Sequence, residues 1–266
     1  MGALVHVTAW ERVSLWRRVP IAFLRVGMLV VILVILLNLL GPPIGFFLVA
    51  RWMAHKAPEV NVSPKSLADY SVSEAAATLT ENGYEFNVPW KLSKRVQKVA
   101  NGPVELVFES GEVLLIFTPP NKGLLTNIAE DKSMGAGNLP LVMGDLMKSS
   151  PYEQYNVIFT TTPASIRAFG PRKDAVRGLM LLTFKAIAPG PGLATGLFSF
   201  DLPDKHGFEV GDPAKSKRLE LEIFGKDDFW VEIVCGAPEH GPNLKQPDLN
   251  LVITSLHPVA KAPAAR

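Results

Sequence analysis

The sequence predicts an α+β protein: one N-terminal transmembrane helix followed by a globular domain of antiparallel strands packed on helices. Three observations carry that expectation. Val26 to Ala50 contains no charged residue. "VELVFESGEVLLIF" and "RLELEIFGKDDFWVEIV" alternate in polarity on either side of turn residues, the pattern of antiparallel hairpins. Between these regions the periodicity becomes helical, and strands followed by helices followed by strands is the order of an α+β domain.

A helix over residues 26–50 would reach roughly 38 Å at about 1.5 Å per residue, more than a hydrocarbon core of about 30 Å, with room for tilt. Arg12, Arg17, Arg18 and Arg25 precede the run. A cleaved signal peptide has such a basic start, but its apolar region is shorter, and "LVA" before Arg51 lacks a small residue at its first position. A buried soluble helix would interrupt the hydrophobicity on one face, and this run does not. The expectation is therefore a retained anchor, kinked at Pro42 and Pro43 or ending near Leu40 with Ile44 to Ala50 as an interfacial segment. Weighed against Arg51, Lys56 and Lys65 on the far side, the leading arginines place the N-terminus in the cytoplasm and the C-terminal domain outside it, periplasmic in a bacterium. Trp10, Trp16, Arg17, Arg18 and Trp52 stand where membrane-interface side chains are expected.

The resulting division is a cytoplasmic segment 1–25, an anchor 26–50, a linker 51–70, an extracytoplasmic domain 71–258 and a disordered tail 259–266. The domain opens with "SVSEAAATLTENG", expected as a helix with Ser71 as N-cap, Glu74 three residues on, and Asn82-Gly83 as its stop. "YEFNVPW" reads as a strand that Pro89 ends or confines to an edge. "WKLSKRVQKVANG" is expected to be a helix with Lys91, Lys94, Arg95 and Lys98 on one face and Leu92, Val96 and Val99 on another. The first hairpin turns at Ser110-Gly111. "SSPYEQY" starts a helix, with Ser150 as cap, Pro151 at the first helical position and Glu153 completing the box, and "TTPASIRAF" repeats the device with Thr162 and Pro163. "GPRKDAVRGLMLLTFKAIAPGPG" supplies a longer helix through Val176, Leu179, Met180 and Phe184. In the second hairpin Leu219, Leu221, Ile223, Phe229, Val231 and Ile233 form an apolar face, and the charges between them are expected in solvent. "LNLVITSL" is a last strand or helix.

A net charge of +2 gives no reason to expect nucleic acid. Cys235 is the sole cysteine, so no internal disulfide forms. The GxSxG elbow, HExxH, glycine-rich GK[ST] loop, paired-cysteine zinc spacing and CxxCH are all missing, and no cofactor is implied. "SMGAGN" and "PGPGLATG" read as flexible loops. "DKHGFEVGDP", with Asp204, His206, Glu209 and Asp212, reads as a solvated turn without the ligand spacing of a calcium loop. Cys235 and His240 read as a buried thiol and a loop histidine, and no metal is expected.

The directional feature is the basic stretch, where Lys91, Lys94, Arg95 and Lys98 would bind a partner: membrane lipid, at about 1 kcal/mol per basic residue, or an acidic protein surface. The function expected is a single-pass membrane-anchored binding or accessory module that docks on a membrane protein complex or holds a ligand near the bilayer. The alternative is an extracytoplasmic membrane-tethered hydrolase using Asp204, His206, Glu209, Cys235 or His240. A third reading makes the anchor itself the working part, packing beside other membrane helices through Gly27, Asn38 or Gly41.

Overall fold

The computed structural model describes residues 42–97, 99, 102–119, 123–130, 139–167, 171–187, 193–226 and 229–259. Residues 26–41 of the expected anchor, Trp10, Trp16, Arg17, Arg18, Lys98 and all of the tail but Val259 lie outside them. Among the described residues no helix is long and apolar enough to cross a membrane.

The core is a mixed α+β arrangement built on one large sheet. Its strands are β1 (Lys65–Ser66), β4 (Leu92–Gln97), β5 (Val104–Phe108), β6 (Val113–Phe117), β7 (Leu197–Asp201), β8 (Lys205–Val210), β9 (Arg218–Gly225) and β10 (Trp230–Gly236). They run in the order β1-β7-β8-β9-β10-β6-β5-β4. Every neighbouring pair is antiparallel except β1 with β7. A second sheet, β2 (Ala77–Glu81), β3 (Tyr84–Val88) and β11 (His257–Pro258), has the order β11-β3-β2.

Because side chains alternate across a strand, the large sheet presents two different faces. Leu106, Leu114, Leu221, Ile223, Val231 and Ile233 face the small sheet and the helix α6 (Gln246–Ser255), meeting Phe86, Val88, Leu249 and Val252. The opposite face, through Phe208, Phe224 and Trp230, packs on the helices α2 (Leu124–Glu130), α3 (Leu139–Met143), α4 (Pro151–Thr160) and α5 (Arg172–Ile187). On the far side of α5 lies α1 (Pro42–Lys56), whose Phe46, Val49, Ala50 and Met53 are buried with Ala175, Leu179 and Leu182.

Two buried lysines tie the layers together at helix C-termini, where unpaired carbonyls favour a cation. Lys185 Nζ donates to the carbonyls of Val62, Phe159 and Thr161 at 2.5, 2.7 and 2.8 Å, joining α5 to the end of α4 and to the chain after α1. Burial draws its ammonium down to about 8. Lys205 donates to Thr254 and Leu256 at the end of α6.

Several expectations are realised. β5 and β6 pair antiparallel across the Ser110-Gly111 turn, β9 pairs antiparallel with β10, Pro89 follows the last residue of β3, and α4 begins with the full capping box of Ser150 and Glu153. The last apolar piece is the helix α6.

Several expectations are corrected: "TTPASIRAF" forms only the short 3-10 turn Pro163–Ser165 with no cap from the Thr162 side chain, and most of "DKHGFEVGDP" is the strand β8 rather than a solvated turn. "SVSEAAATLTENG" is not a helix: Ser71 bonds back to Asp69, and residues 77–81 form β2. Asn82 (φ 50°) and Gly83 (φ 84°) then take the two left-handed positions of a tight hairpin into β3. An Asn-Gly pair suits that turn at least as well as a helix stop, and pairing with β3 decides between them. "WKLSKRVQKVANG" contains the edge strand β4 rather than a helix, so Lys94 and Arg95 fall on opposite faces instead of sharing one.

The segment 51–70, expected as a linker, is packed: Met53, Val60 and Leu67 are buried, and Lys65 and Ser66 pair with Phe198 and Ser199. Finally, the charges of the second hairpin are not in solvent. Glu220 and Glu222 are buried, because the helices cover the face that the alternation marks as polar.

Candidate functional site

Two features carry functional information, and the first is α1. With its inner side committed to α5, its outer side leaves Ile44 and Leu48 each 57% exposed and Trp52 48% exposed. These positions are four residues apart, so they form one apolar stripe along the helix. Arg51 flanks it, its guanidinium 5.5 Å from the centre of the Phe47 ring, and His55 and Lys56 end the helix in solvent. Pro42 and Pro43 occupy the first turn, where a missing N–H costs little. The segment expected to complete the anchor therefore divides by face, half buried in the domain and half exposed.

The second feature lies on β9 and β10. Glu222 and Glu232 are direct cross-strand partners, and Glu220 is two residues from Glu222 on the same face. One carboxylate oxygen from each of the three lies within 4.8 Å of the others. Glu222 is 1% exposed. Its Oε2 accepts a hydrogen bond of 2.7 Å from the Trp230 indole, whereas Oε1 has no hydrogen-bond partner among the described residues. Burial pushes the Glu222 carboxyl well above its ordinary value, and the charges of Glu232 and Glu220 push further. The Tyr155 phenol, also buried, is raised by desolvation and by the same carboxylates. The sequence signal for this cluster was present in "LELEIFGKDDFWVE". It was hidden by the assumption that alternating charges face water.

Of the residues singled out as catalytic candidates, only Glu209 and Cys235 are brought to one face, flanking β9 on the α6 side, where the Glu209 charge also bears on the Cys235 thiol. His206 and Glu209 are on the same strand but opposite faces. The His206 ring stacks on Tyr152 at 3.7 Å and 16°, and burial lowers its pKa. Glu209 lies on the α6 side, fully buried, with Oε2 bonded to Gln246. Asp204 pairs with Lys205 at 3.1 Å, and Asp212 with Lys215 at 2.6 Å. Cys235 is fully buried and its thiol is pushed up by desolvation, while His240 is exposed in a turn. Of the basic stretch, Lys91 and Lys94 are exposed, whereas both carboxylate oxygens of Glu81 accept from Arg95 Nε at 2.7 and 2.8 Å. A solvent-open cleft of about 310 Å³ lies between α4 and α5, bordered by Asp145, Glu153, Asn156 and Arg177.

No protein-family description, curated protein or solved structure matches this chain.

Proposed function

We propose that the chain is a single-pass membrane-anchored binding or accessory module whose α+β domain rests against the bilayer through α1. The observation that carries this reading is the exposed stripe Ile44–Leu48–Trp52, which follows directly on an uncharged sequence from Val26. An apolar helix face bordered by an indole and by Arg51 and Lys56 has the chemistry of a membrane interface with anionic headgroups. Among the described residues of the basic stretch, Lys91 and Lys94, exposed on or beside the edge strand β4, are the groups left for a partner in the same membrane, since Arg95 is engaged by Glu81. His206 and His240 stand apart from Glu209 and Cys235, which share the α6 face but are fully buried with the thiol pushed up by desolvation, and this removes the support for a hydrolase built from them.

The test uses the full-length protein in its membrane. It should stay in the membrane fraction through alkaline carbonate washing. Lipids brominated near the headgroup should quench the fluorescence that distinguishes wild type from Trp52→Phe. A Leu48→Asp, Trp52→Asp variant should remain anchored but lose that contact. Release of the wild type by carbonate would sink the anchor, and unquenched Trp52 in a protein that stays anchored would sink the resting face.

A further inference from the structure

We propose that residues 68–76 form a strap latched by the proton on Glu209, held to α6 while that carboxyl is neutral and lifting from it when the carboxyl ionises. The inference is independent of the membrane reading. The strap joins β1 to β2, and between the buried Leu67 and the half-buried Ala77 it buries no side chain: Ser73 is partly covered and the others are exposed. Without an apolar anchor its place on the domain rests on hydrogen bonds, and segments held in that way open locally at small cost. The Ala76 amide bonds to Val88. The remaining ties go to the start of α6, where Asn250 Nδ2 donates to the carbonyls of Asp69 and Ser71 at 2.9 and 2.7 Å. Beside them the Ser73 N–H donates to the Pro247 carbonyl, and its hydroxyl to the Asp248 carboxylate.

Asn250 is in turn oriented from Glu209. Gln246 Nε2 donates to Glu209 Oε2 at 2.8 Å and to Asn250 Oδ1 at 3.1 Å, which leaves the Asn250 amide hydrogens for the strap. Two amides thus connect one fully buried carboxyl to the strap's backbone. Glu209 Oε1 has no hydrogen-bond partner among the described residues, so a proton there leaves Oε2 free to accept from Gln246. An ionised Glu209 is a buried charge without a counter-ion. Phe198 and Leu221 stand opposite it on β7 and β9. β10 turns the buried Cys235 thiol toward it, and Asp212, beyond the end of β8, opposes its ionisation while being engaged by Lys215. Lys205, on the same face of β8, is held at the far end of α6 by the Thr254 and Leu256 carbonyls and by Asp204. On α6, Asp248 is bonded to Ser73. Water admitted by lifting the strap and loosening Gln246 is the relief that disturbs the least apolar packing. Burial holds the carboxyl at about 7 instead of 4.5, against the Gln246 bond that favours the charge. An opening that wets Glu209 therefore grows about tenfold per pH unit from about pH 5 to about 7 and levels above, with a ceiling of about 300-fold.

The test is hydrogen exchange of the full-length protein and of Glu209→Gln, which cannot ionise, in one detergent and at matched pH, so that the intrinsic pH dependence of exchange cancels. Peptides covering the strap should exchange within a few-fold of each other near pH 5 and about tenfold or more faster in the wild type near pH 8. Peptides from β9 and β10 should exchange far more slowly than the strap in both proteins. Asn250→Ala cuts the connection between Gln246 and the strap, and its strap should exchange rapidly at either pH. Ser73→Ala loosens the strap away from that connection, so it should speed exchange at either pH and keep the pH step, which tests the route if Asn250→Ala fails to fold. A ratio of wild type to Glu209→Gln that stays constant across the range overturns the proposal. A strap that exchanges only at the rate of β9 and β10 also overturns it, since the effect then belongs to the whole fold. The same holds if Asn250→Ala keeps the pH step or Ser73→Ala loses it.

Discussion

Replacing Glu209 by glutamine should stabilise this protein at neutral and alkaline pH and leave it unchanged in acid. Glu209 is fully buried on β8, with Oε2 accepting 2.8 Å from Gln246 and Oε1 without a hydrogen-bond partner among the described residues. Burial pushes its carboxyl from the ordinary 4.5 up to about 7, the Gln246 hydrogen bond opposing and Asp212 adding a little. The folded chain thus holds a proton that the unfolded chain has released between about pH 4.5 and pH 7. The stabilisation is complete below the unfolded value and is lost as pH rises through the folded one. At 1.36 kcal/mol per pH unit, the interval between 4.5 and about 7 corresponds to about 3 kcal/mol. Glutamine resembles the protonated acid and does not titrate, so it escapes the loss. With about 2–4 °C per kcal/mol for a domain of this size, the variant should melt about 6–12 °C above wild type near pH 8 and level with it near pH 4.5. The comparison is a thermal melt of both full-length proteins in one detergent, followed by near-ultraviolet circular dichroism, in which groups common to both cancel. A gap of equal size at all pH values, or a wild type that is the more stable at pH 8, would refute the reasoning.

Gly83→Ala should cost about 1–2 kcal/mol, since φ is 84° and a new Cβ meets nothing within 4 Å, leaving backbone strain as the cause. Equilibrium unfolding measures it, and a neutral result would show that the turn relaxes. Phe46→Ala should cost about 3–5 kcal/mol, because Phe46 is buried against α5, whereas Leu48→Ala on the exposed side of the same helix should leave Tm within a few degrees of wild type. The reverse ranking in thermal melts would mean that α1 is turned the other way.

The two hairpins were legible because alternation and turn residues agree over their whole length, and local consistency of that kind leaves pairing little to decide. α4 was legible from Ser150, Pro151 and Glu153, which name one helix start. The failures fall where a local pattern serves two structures. Alanine-rich "SEAAATLTE" satisfies helix propensity, but Asn82-Gly83 and the partner strand β3 outweigh it. "DKHGFEV" looked like a polar turn because its charges crowd together. In the sheet they separate, with Lys205 and Glu209 on the α6 side and His206 on the other. The carboxylate cluster was invisible for a related reason: alternation identifies which residues share a face and does not say what covers that face.

The packing of residues 51–70 sets how far the domain travels. A flexible linker of that length would let its cargo wander by about 25 Å, at roughly 5–6 Å times the square root of the residue number. Here α1 is fastened to α5 and β1 to β7, so residues 42–70 supply no slack. If an anchor that includes residues 26–41 crosses a bilayer, the domain slides along it without rising from it. A partner then has to present its surface within one domain's depth of the lipid, and its search is confined to two dimensions, where a given number of molecules is locally far more concentrated than in a volume.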